Sequence, residues 1–263
     1  MSEANVEDVF VEVPGGRVFV RRWGREHASS LPVVLLHDSL GSVEQWRDFP
    51  AVLAHRLDRP VIAYDRLGFG RSSARSERPS IHFIAEEADV HFPALCRALG
   101  LEAYGLFGHS VGGTMALAIA AAQGDRCRFV VTESAQAFVE QRTLDGIVAA
   151  QAQFERDEQF ARLARWHGDK AAWVLDAWTQ VWLDPAFAAW SLDHCLPQVR
   201  CPVLAIHGDG DEFGSVAFPE RIARGVQGPA QRVVLEACGH VPHREQPEQV
   251  LQMVSHFIAA MEE

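Results

Sequence analysis

The sequence predicts an α/β fold: a mostly parallel sheet with helices on both faces, opened by an antiparallel hairpin and interrupted by a helical insertion. Three observations predict it. Short apolar runs alternate with segments of helical spacing along the chain. The runs are apolar at consecutive positions, as strands buried on both faces require. Between residues 134 and 196 the alternation stops and helical patterns follow one another. A length of 263 residues suits one large α/β unit.

The elements follow in order. Val9 to Val13 and Arg17 to Trp23 flank Pro14-Gly15-Gly16, whose glycines permit the positive φ angles of a tight turn, so a hairpin opens the chain. Buried strands are expected at Val33 to Leu36, Val61 to Tyr64, Tyr104 to Phe107, Phe129 to Val131, Val203 to Ile206 and Val233 to Leu235. Helices are expected at Val43 to Arg56, Ile81 to Leu99, Val111 to Gln123, Pro219 to Val226 and Pro247 to Met261. Residues 1–133 and 197–263 then form a core domain and 134–196 a helical insertion, with patterns at Leu144 to Phe154 and Lys170 to Leu183. Five of the seven tryptophans fall in the insertion, and Trp178 with Trp182 share a helix face. Such rings either glue the insertion to the sheet or line a pocket beneath it.

Composition excludes several classes. With 35 acidic and 24 basic residues the formal charge is -11, which repels nucleic acid and anionic lipid. The longest strictly apolar run, Met115 to Ala122, falls far short of the roughly 18 to 20 residues that span a bilayer. The acidic opening Met1 to Asp8 carries no secretory pattern, and five scattered cysteines without a C-x-x-C pair fit reduced thiols. A cytoplasmic protein is expected, with no membrane partner; its oligomeric state is left open.

Chemistry concentrates at three strand ends. Gly108-His109-Ser110-Val111-Gly112 joins a strand to a helix. A serine on so sharp a turn is held in a strained conformation, and small neighbours are needed because strand and helix approach closely. The turn sets the hydroxyl beside free backbone N–H groups at the positive end of a helix. Serine needs a base and a group to orient that base. His207-Gly208-Asp209-Gly210-Asp211 places carboxylates after one strand, and Cys238-Gly239-His240 places an imidazole after the last, in the order Ser, Asp, His.

At this point the chain resembles the α/β-hydrolase superfamily over nearly its whole length. The resemblance rests on His37-Asp38-Ser39-Leu40-Gly41, Asp65-Arg66-Leu67-Gly68-Phe69-Gly70-Arg71-Ser72, Gly108 to Gly112, His207 to Asp211 and Gly239-His240, all in family order. It implies the α/β-hydrolase fold, with the insertion as its cap. It also implies Ser110 as nucleophile, His240 as general base and acid, and Asp211 as the carboxylate that orients the imidazole. Asp209, two residues earlier, is then a turn residue, while Glu133 occupies a position where some relatives keep their acid. His243 is expected on a loop near the cleft mouth, and His109 in a packing or hydrogen-bonding role. No third ligand supports a metal at His240 and His243. Arg66 and Arg71 are expected to pair with acidic neighbours rather than bind phosphate.

Relatives carry His-Gly where this chain has His37-Asp38. The resemblance implies an oxyanion hole from the N–H groups of Ser39 and Val111. A carboxylate aimed into that hole would oppose the developing charge, so Asp38 is expected to point away and hydrogen-bond its own loop. His37, Asp38, Trp178 and Trp182 are the candidate pocket residues. The expected activity is cofactor-free hydrolysis of a small to medium carboxylic ester or lactone with an apolar acyl or aryl part, through an acyl-enzyme. Relatives with similar triads cleave C–C bonds of vinylogous diketones or eliminate pyruvate, and some members of the superfamily act as ligand receptors with slow turnover.

Overall fold

The computed structural model describes residues 6–24 and 31–261, so Met1 to Asn5 of the acidic opening lie outside the described residues. The described chain forms an eight-stranded sheet: β1 (Val6–Val13), β2 (Gly16–Trp23), β3 (Val33–Leu36), β4 (Val61–Tyr64), β5 (Tyr104–His109), β6 (Cys127–Glu133), β7 (Val203–Gly208) and β8 (Ala230–Leu235). Its order is β1-β2-β4-β3-β5-β6-β7-β8. Strand β2 runs antiparallel to β1 and β4, and the remaining pairings are parallel. The six apolar runs and both arms of the hairpin are strands.

The consecutive apolar residues serve two cores. Side chains alternate across a strand, so Val34, Leu36, Ile62, Leu106 and Val130 pack on one face and Val33, Leu35, Val61, Phe107 and Val131 on the other. Full burial of each such side chain contributes about 1.5–3 kcal/mol. The described residues form ten α-helices: α1 (Phe49–Leu57), α2 (Phe83–Glu86), α3 (Phe92–Leu99), α4 (Val111–Gln123), α5 (Gln141–Phe154), α6 (Asp157–His167), α7 (Ala171–Trp182), α8 (Ala217–Gly225), α9 (Pro242–Glu245) and α10 (Pro247–Ala259). Helices α1 and α10 pack on the face of Leu35, while α2, α3, α4 and α8 cover the other. Apolar nearly all round, α4 is buried along most of its length.

Of two long expected helices, one is divided at a proline and the other is continuous from Phe83 to Leu99 through a π-helical turn. The segment expected as one helix at Val43 to Arg56 is a 3₁₀ turn, Val43–Trp46, followed by α1, with Arg47 between them at φ 54°. Pro50 lacks an N–H and fits only the first turn of a helix, which forces a new start there. The segment at Ile81 to Leu99 begins later, and a π-helical turn at Glu87–His91 precedes α3, where Pro93 again occupies the first turn. The other helices differ from expectation only at their ends.

Between β6 and β7 the described chain is helices and connecting loops, its β structure limited to an isolated bridge, Phe138 to Ser191. Helix α6 was not anticipated: its charged residues face solvent, and only Leu163 and His167 are buried. No described helix is long and apolar enough to cross a membrane.

Candidate active site

Ser110 stands where β5 ends and α4 begins, with φ 55° and ψ -128°. For a residue other than glycine this conformation costs about 1–3 kcal/mol. Neighbouring hydrogen bonds hold it: Ser110 N–H donates to Glu133 O at 2.8 Å, and Ser110 O accepts from the N–H groups of Gly113 at 2.8 Å and Thr114 at 3.2 Å. The glycines are required by space, since a Cβ on Gly112 would meet the Leu36 and His37 carbonyls and one on Gly108 the Gly112 backbone.

His240 and Asp211 come together from the loops after β8 and β7. His240 Nδ1 lies 2.9 Å from both Asp211 carboxylate oxygens, so it carries the proton and donates it. Nε2 is left as the ring's unprotonated nitrogen. Asp211 is fully buried and also accepts from Phe213 N–H at 2.7 Å. Burial alone would raise its carboxyl, but the His240 hydrogen bond and charge, with His207 and the Phe213 N–H, hold it below its usual 3.8. Burial is likewise the largest single influence on His240 and lowers it. The Asp211 hydrogen bond and charge, with the charges of Glu212 and Asp38, outweigh burial and leave the imidazole above its usual 6.5.

Ser110 and His240 line the same open cavity of about 630 Å³. In this structure Ser110 Oγ accepts from Gln136 Nε2 at 3.1 Å, and no Ser110–His240 hydrogen bond is formed among the described residues. Gln136 is 5% exposed, and its Oε1 is buried without a partner. Nothing in its sequence context marked it, apart from a position two residues beyond Ser134, which has φ 50° at the end of β6. Trp178 and Trp182 line the cavity from α7, joined by Phe213, whose ring packs 4.9 Å from that of His240 and 5.8 Å from that of Trp178.

The N–H groups of Ser39 and Val111 have no acceptor among the described residues, as the first position of a helix and a loop opposite it allow. Ser39 also lines the cavity, and Ser39 and Val111 both line an adjoining chamber of about 510 Å³. Asp38, 32% exposed, borders both the cavity and the small pocket behind its loop, and its Oδ2 lies 3.9 Å from His109 Nδ1 on the small-pocket side. Unlike the expectation, its carboxylate accepts no hydrogen bond from its own loop among the described residues. Gly41 folds back beneath it, so that a Cβ at position 41 would collide with Asp38 Oδ1. The Asp38 carbonyl accepts from His37 Nδ1–H at 2.8 Å, Arg66 Nη2–H at 2.7 Å and Gly41 N–H at 3.3 Å, and the Asp38 charge acts on Arg66 and Arg244. His37 lies away from the large cavity, along a small pocket behind the loop, where its Nε2 accepts from Arg66 N–H at 3.1 Å.

The remaining candidates also found places. Asp209 Oδ1 accepts from Cys238 N–H at 3.4 Å, as a turn residue would. His109 Nε2–H donates to the His240 carbonyl at 2.8 Å, and burial lowers its imidazole to about 4. Glu133 pairs with His243 rather than His240, at 2.7 Å, with both side chains buried. His243 sits on α9, whose Pro242 at the first helical position was the overlooked signal, and not on an open loop. Burial pushes the Glu133 carboxyl up to about 8 and the His243 imidazole down to about 3, so both are neutral near pH 7. Arg71 pairs with Asp8 at 2.9 Å. Arg66 instead stacks over Phe69, 4.4 Å from the ring centre, and holds the loop that carries Asp38. No group of three or more potential metal ligands occurs among the described residues.

A strained serine at the carboxyl end of a parallel sheet, beneath a helical insertion, defines a class. The chain belongs to the alpha/beta hydrolase fold family, whose model matches residues 32–247. It is 29% identical over 264 residues to 2-hydroxymuconate semialdehyde hydrolase of Pseudomonas sp. (strain CF600), with 89% of each chain covered. Among solved structures it resembles a bacterial membrane phospholipase A (TM-score 0.80, 21% identity, 98% of this chain and 87% of that one). It also resembles the enol-lactonase from Burkholderia xenovorans LB400 (TM-score 0.73, 21% identity, 95% and 100%). These structural likenesses concern the fold.

Proposed function

We propose that the protein is a serine hydrolase acting on small to medium carboxylic esters or lactones with an apolar acyl or aryl part. One observation carries this reading: an imidazole held by both oxygens of a buried carboxylate opens on the same cavity as a serine on a strained turn. Rotation about the Ser110 Cα–Cβ bond releases Oγ from Gln136, and catalytic hydrogen bonds commonly form only once substrate is bound. Oγ then attacks the carbonyl carbon as its proton passes to His240 Nε2, while Asp211 stabilises the imidazolium. The N–H groups of Ser39 and Val111 receive the negative oxygen. Collapse expels the leaving group with the proton from His240, and water, activated by the same nitrogen, releases the acid and restores the serine.

A second reading is favoured by the relative named for 2-hydroxymuconate semialdehyde, which matches across 89% of this chain. In that case the bond broken is C–C, in a vinylogous diketone. Ser110→Ala, compared with the native protein on activated aryl esters and on vinylogous diketones, tests both. Native turnover of esters with a loss on the order of 10⁴-fold or more in the variant supports the first reading. A large kcat/KM preference for diketones replaces it with the second, and undiminished ester hydrolysis by Ser110→Ala removes the nucleophile assignment.

A further inference from the structure

The residue before the nucleophile reaches across to the base. His109 is the last residue of β5 and is joined covalently to Ser110, while its side chain, 4% exposed, meets the loop that carries His240. Its Nε2–H donates to the His240 carbonyl at 2.8 Å, a bond that spans 131 residues of sequence. A carbonyl can only accept, so this bond fixes the His109 tautomer. The ring is also wedged between two other imidazoles, its centre 5.1 Å from that of His240 and 5.1 Å from that of His243, with Trp46 edge-on at 6.4 Å.

The loop holding His240 is anchored in two ways. Glu245 accepts from Gly239 N–H at 2.6 Å and from Val241 N–H at 3.0 Å, so the residues flanking His240 are tied to α9, a few positions on. Those bonds set the loop's shape. Its place is set by bonds to other strands: Asp211 after β7 holds the His240 ring, Glu133 at the end of β6 holds His243, and His109 at the end of β5 holds the His240 backbone. Of these three, only His109 adjoins Ser110. Its charge state also suits the place. Burial, with the charges of His240 and His243, outweighs Asp38 and Glu133 and lowers the His109 imidazole to about 4. A neutral ring sets no positive charge beside the imidazolium that His240 becomes. Its Nδ1 carries no proton and lies 3.9 Å from Asp38 Oδ2, beyond hydrogen-bond reach.

We propose that His109 is a positioning residue that registers His240 against Ser110, through its Nε2–H on the His240 backbone and its ring against the His240 imidazole. The proposal rests on the serine-hydrolase reading for the reaction and adds the residue that aligns its two proton-transfer partners. An apolar ring of similar size would fill the space and leave the His240 carbonyl without that donor, so the loss falls on catalysis rather than on substrate binding. Misplacement of a reacting group by about 1 Å costs on the order of 10²-fold in rate.

Three variants test it. His109→Phe removes the donor, His109→Asn carries an amide that ends one bond short, and His109→Gln can place an amide N–H where the imidazole held its own. On activated aryl esters kcat is expected to fall about 10²-fold in the first two, with a smaller change in KM, and His109→Gln to recover most of the loss. The His240 ring is followed separately by NMR titration of the same variants in the Ser110→Ala background, which needs no turnover. Its midpoint, held above 6.5 by Asp211, is expected to fall in His109→Phe and His109→Asn as that contact loosens, and to return in His109→Gln. A lower Tm with native kcat and an unmoved His240 midpoint overturns the proposal, because His109 would then only fill space. Failure of His109→Gln to outperform both other variants also overturns it. A native protein without ester turnover, whose His240 midpoint still falls in His109→Phe, contradicts the serine-hydrolase reading alone. Ester turnover with kcat and midpoint unchanged in all three variants contradicts this proposal alone.

Discussion

Ser110, Asp211 and His240 were legible because each follows a strand end and has glycine close by, so local sequence nearly determines where the chain must turn. Asp38 was not legible in the same way. Its carboxylate lies against Gly41 and borders two pockets, a matter of packing between residues rather than of residue type. Gln136 and the Glu133–His243 pair were hidden for a related reason: the atoms meet only after β5, β6 and α9 are in place. The base form of His240 is the neutral ring and its affinity for protons is raised, so kcat/KM should rise with pH through a midpoint above 6.5. Asp211→Asn removes the hydrogen bond and charge that raise it. The midpoint should move down and kcat fall on the order of 10⁴-fold. A pH–rate profile of the variant with an unchanged midpoint would show that Asp211 does not act on His240.

Among the elements, strands were legible and several helices were only partly so. A strand buried on both faces announces itself as an unbroken apolar run, whereas α6 is amphipathic but so polar on average, with two buried positions, that no apolar run marks it. Pro50 carried the information needed to divide the first long helix, while Pro93 follows a π-helical turn in a stretch that stays helical from Phe83 to Leu99. The insertion is tied to the core by polar contacts that no hydrophobic pattern encodes. Lys170 Nζ donates to the carbonyls of Phe69 at 3.4 Å, Gly70 at 2.7 Å and Ser72 at 2.5 Å. His167 Nε2–H donates to Leu40 O at 2.9 Å, and its Nδ1 accepts from Gly70 N–H at 2.9 Å. These ties hold α6 and α7 over the loop that follows β4, and α7 supplies Trp178 and Trp182 to the cavity. Lys170→Met should therefore destabilise the fold by about 1–3 kcal/mol by stranding three carbonyls. It should also raise KM for ester substrates more than it lowers kcat. Thermal melts and steady-state kinetics read both effects, and a variant with native Tm and KM would show that the insertion is held by its apolar contacts alone.

For the whole molecule, the sheet order brings the carboxyl ends of β5, β6, β7 and β8 to one rim, where the serine, the buried Glu133–His243 pair, Asp211 and His240 converge. That convergence puts a proton-dependent pair inside the core, and the pair ties stability to pH. Burial raises Glu133 from 4.5 to about 8, so its contribution is fully present below 4.5 and is lost as pH rises through about 8. His243 is lowered from 6.5 to about 3, so its contribution is present above 6.5 and lost as pH falls through about 3. Glu133→Gln keeps a hydrogen-bonding amide while removing the titration. Denaturant unfolding from pH 5 to pH 8 should show native stability declining relative to this variant, and parallel curves would contradict a neutral buried carboxyl.

The central claim, a covalent step on Ser110, is tested most directly by acid-quenching the native protein during turnover of an activated aryl ester and mapping the acyl group by peptide mass. The acyl mass is predicted on the peptide containing Ser110 and absent from Ser110→Ala. An acyl group on any other residue, or rapid turnover with no acylated peptide, would contradict it.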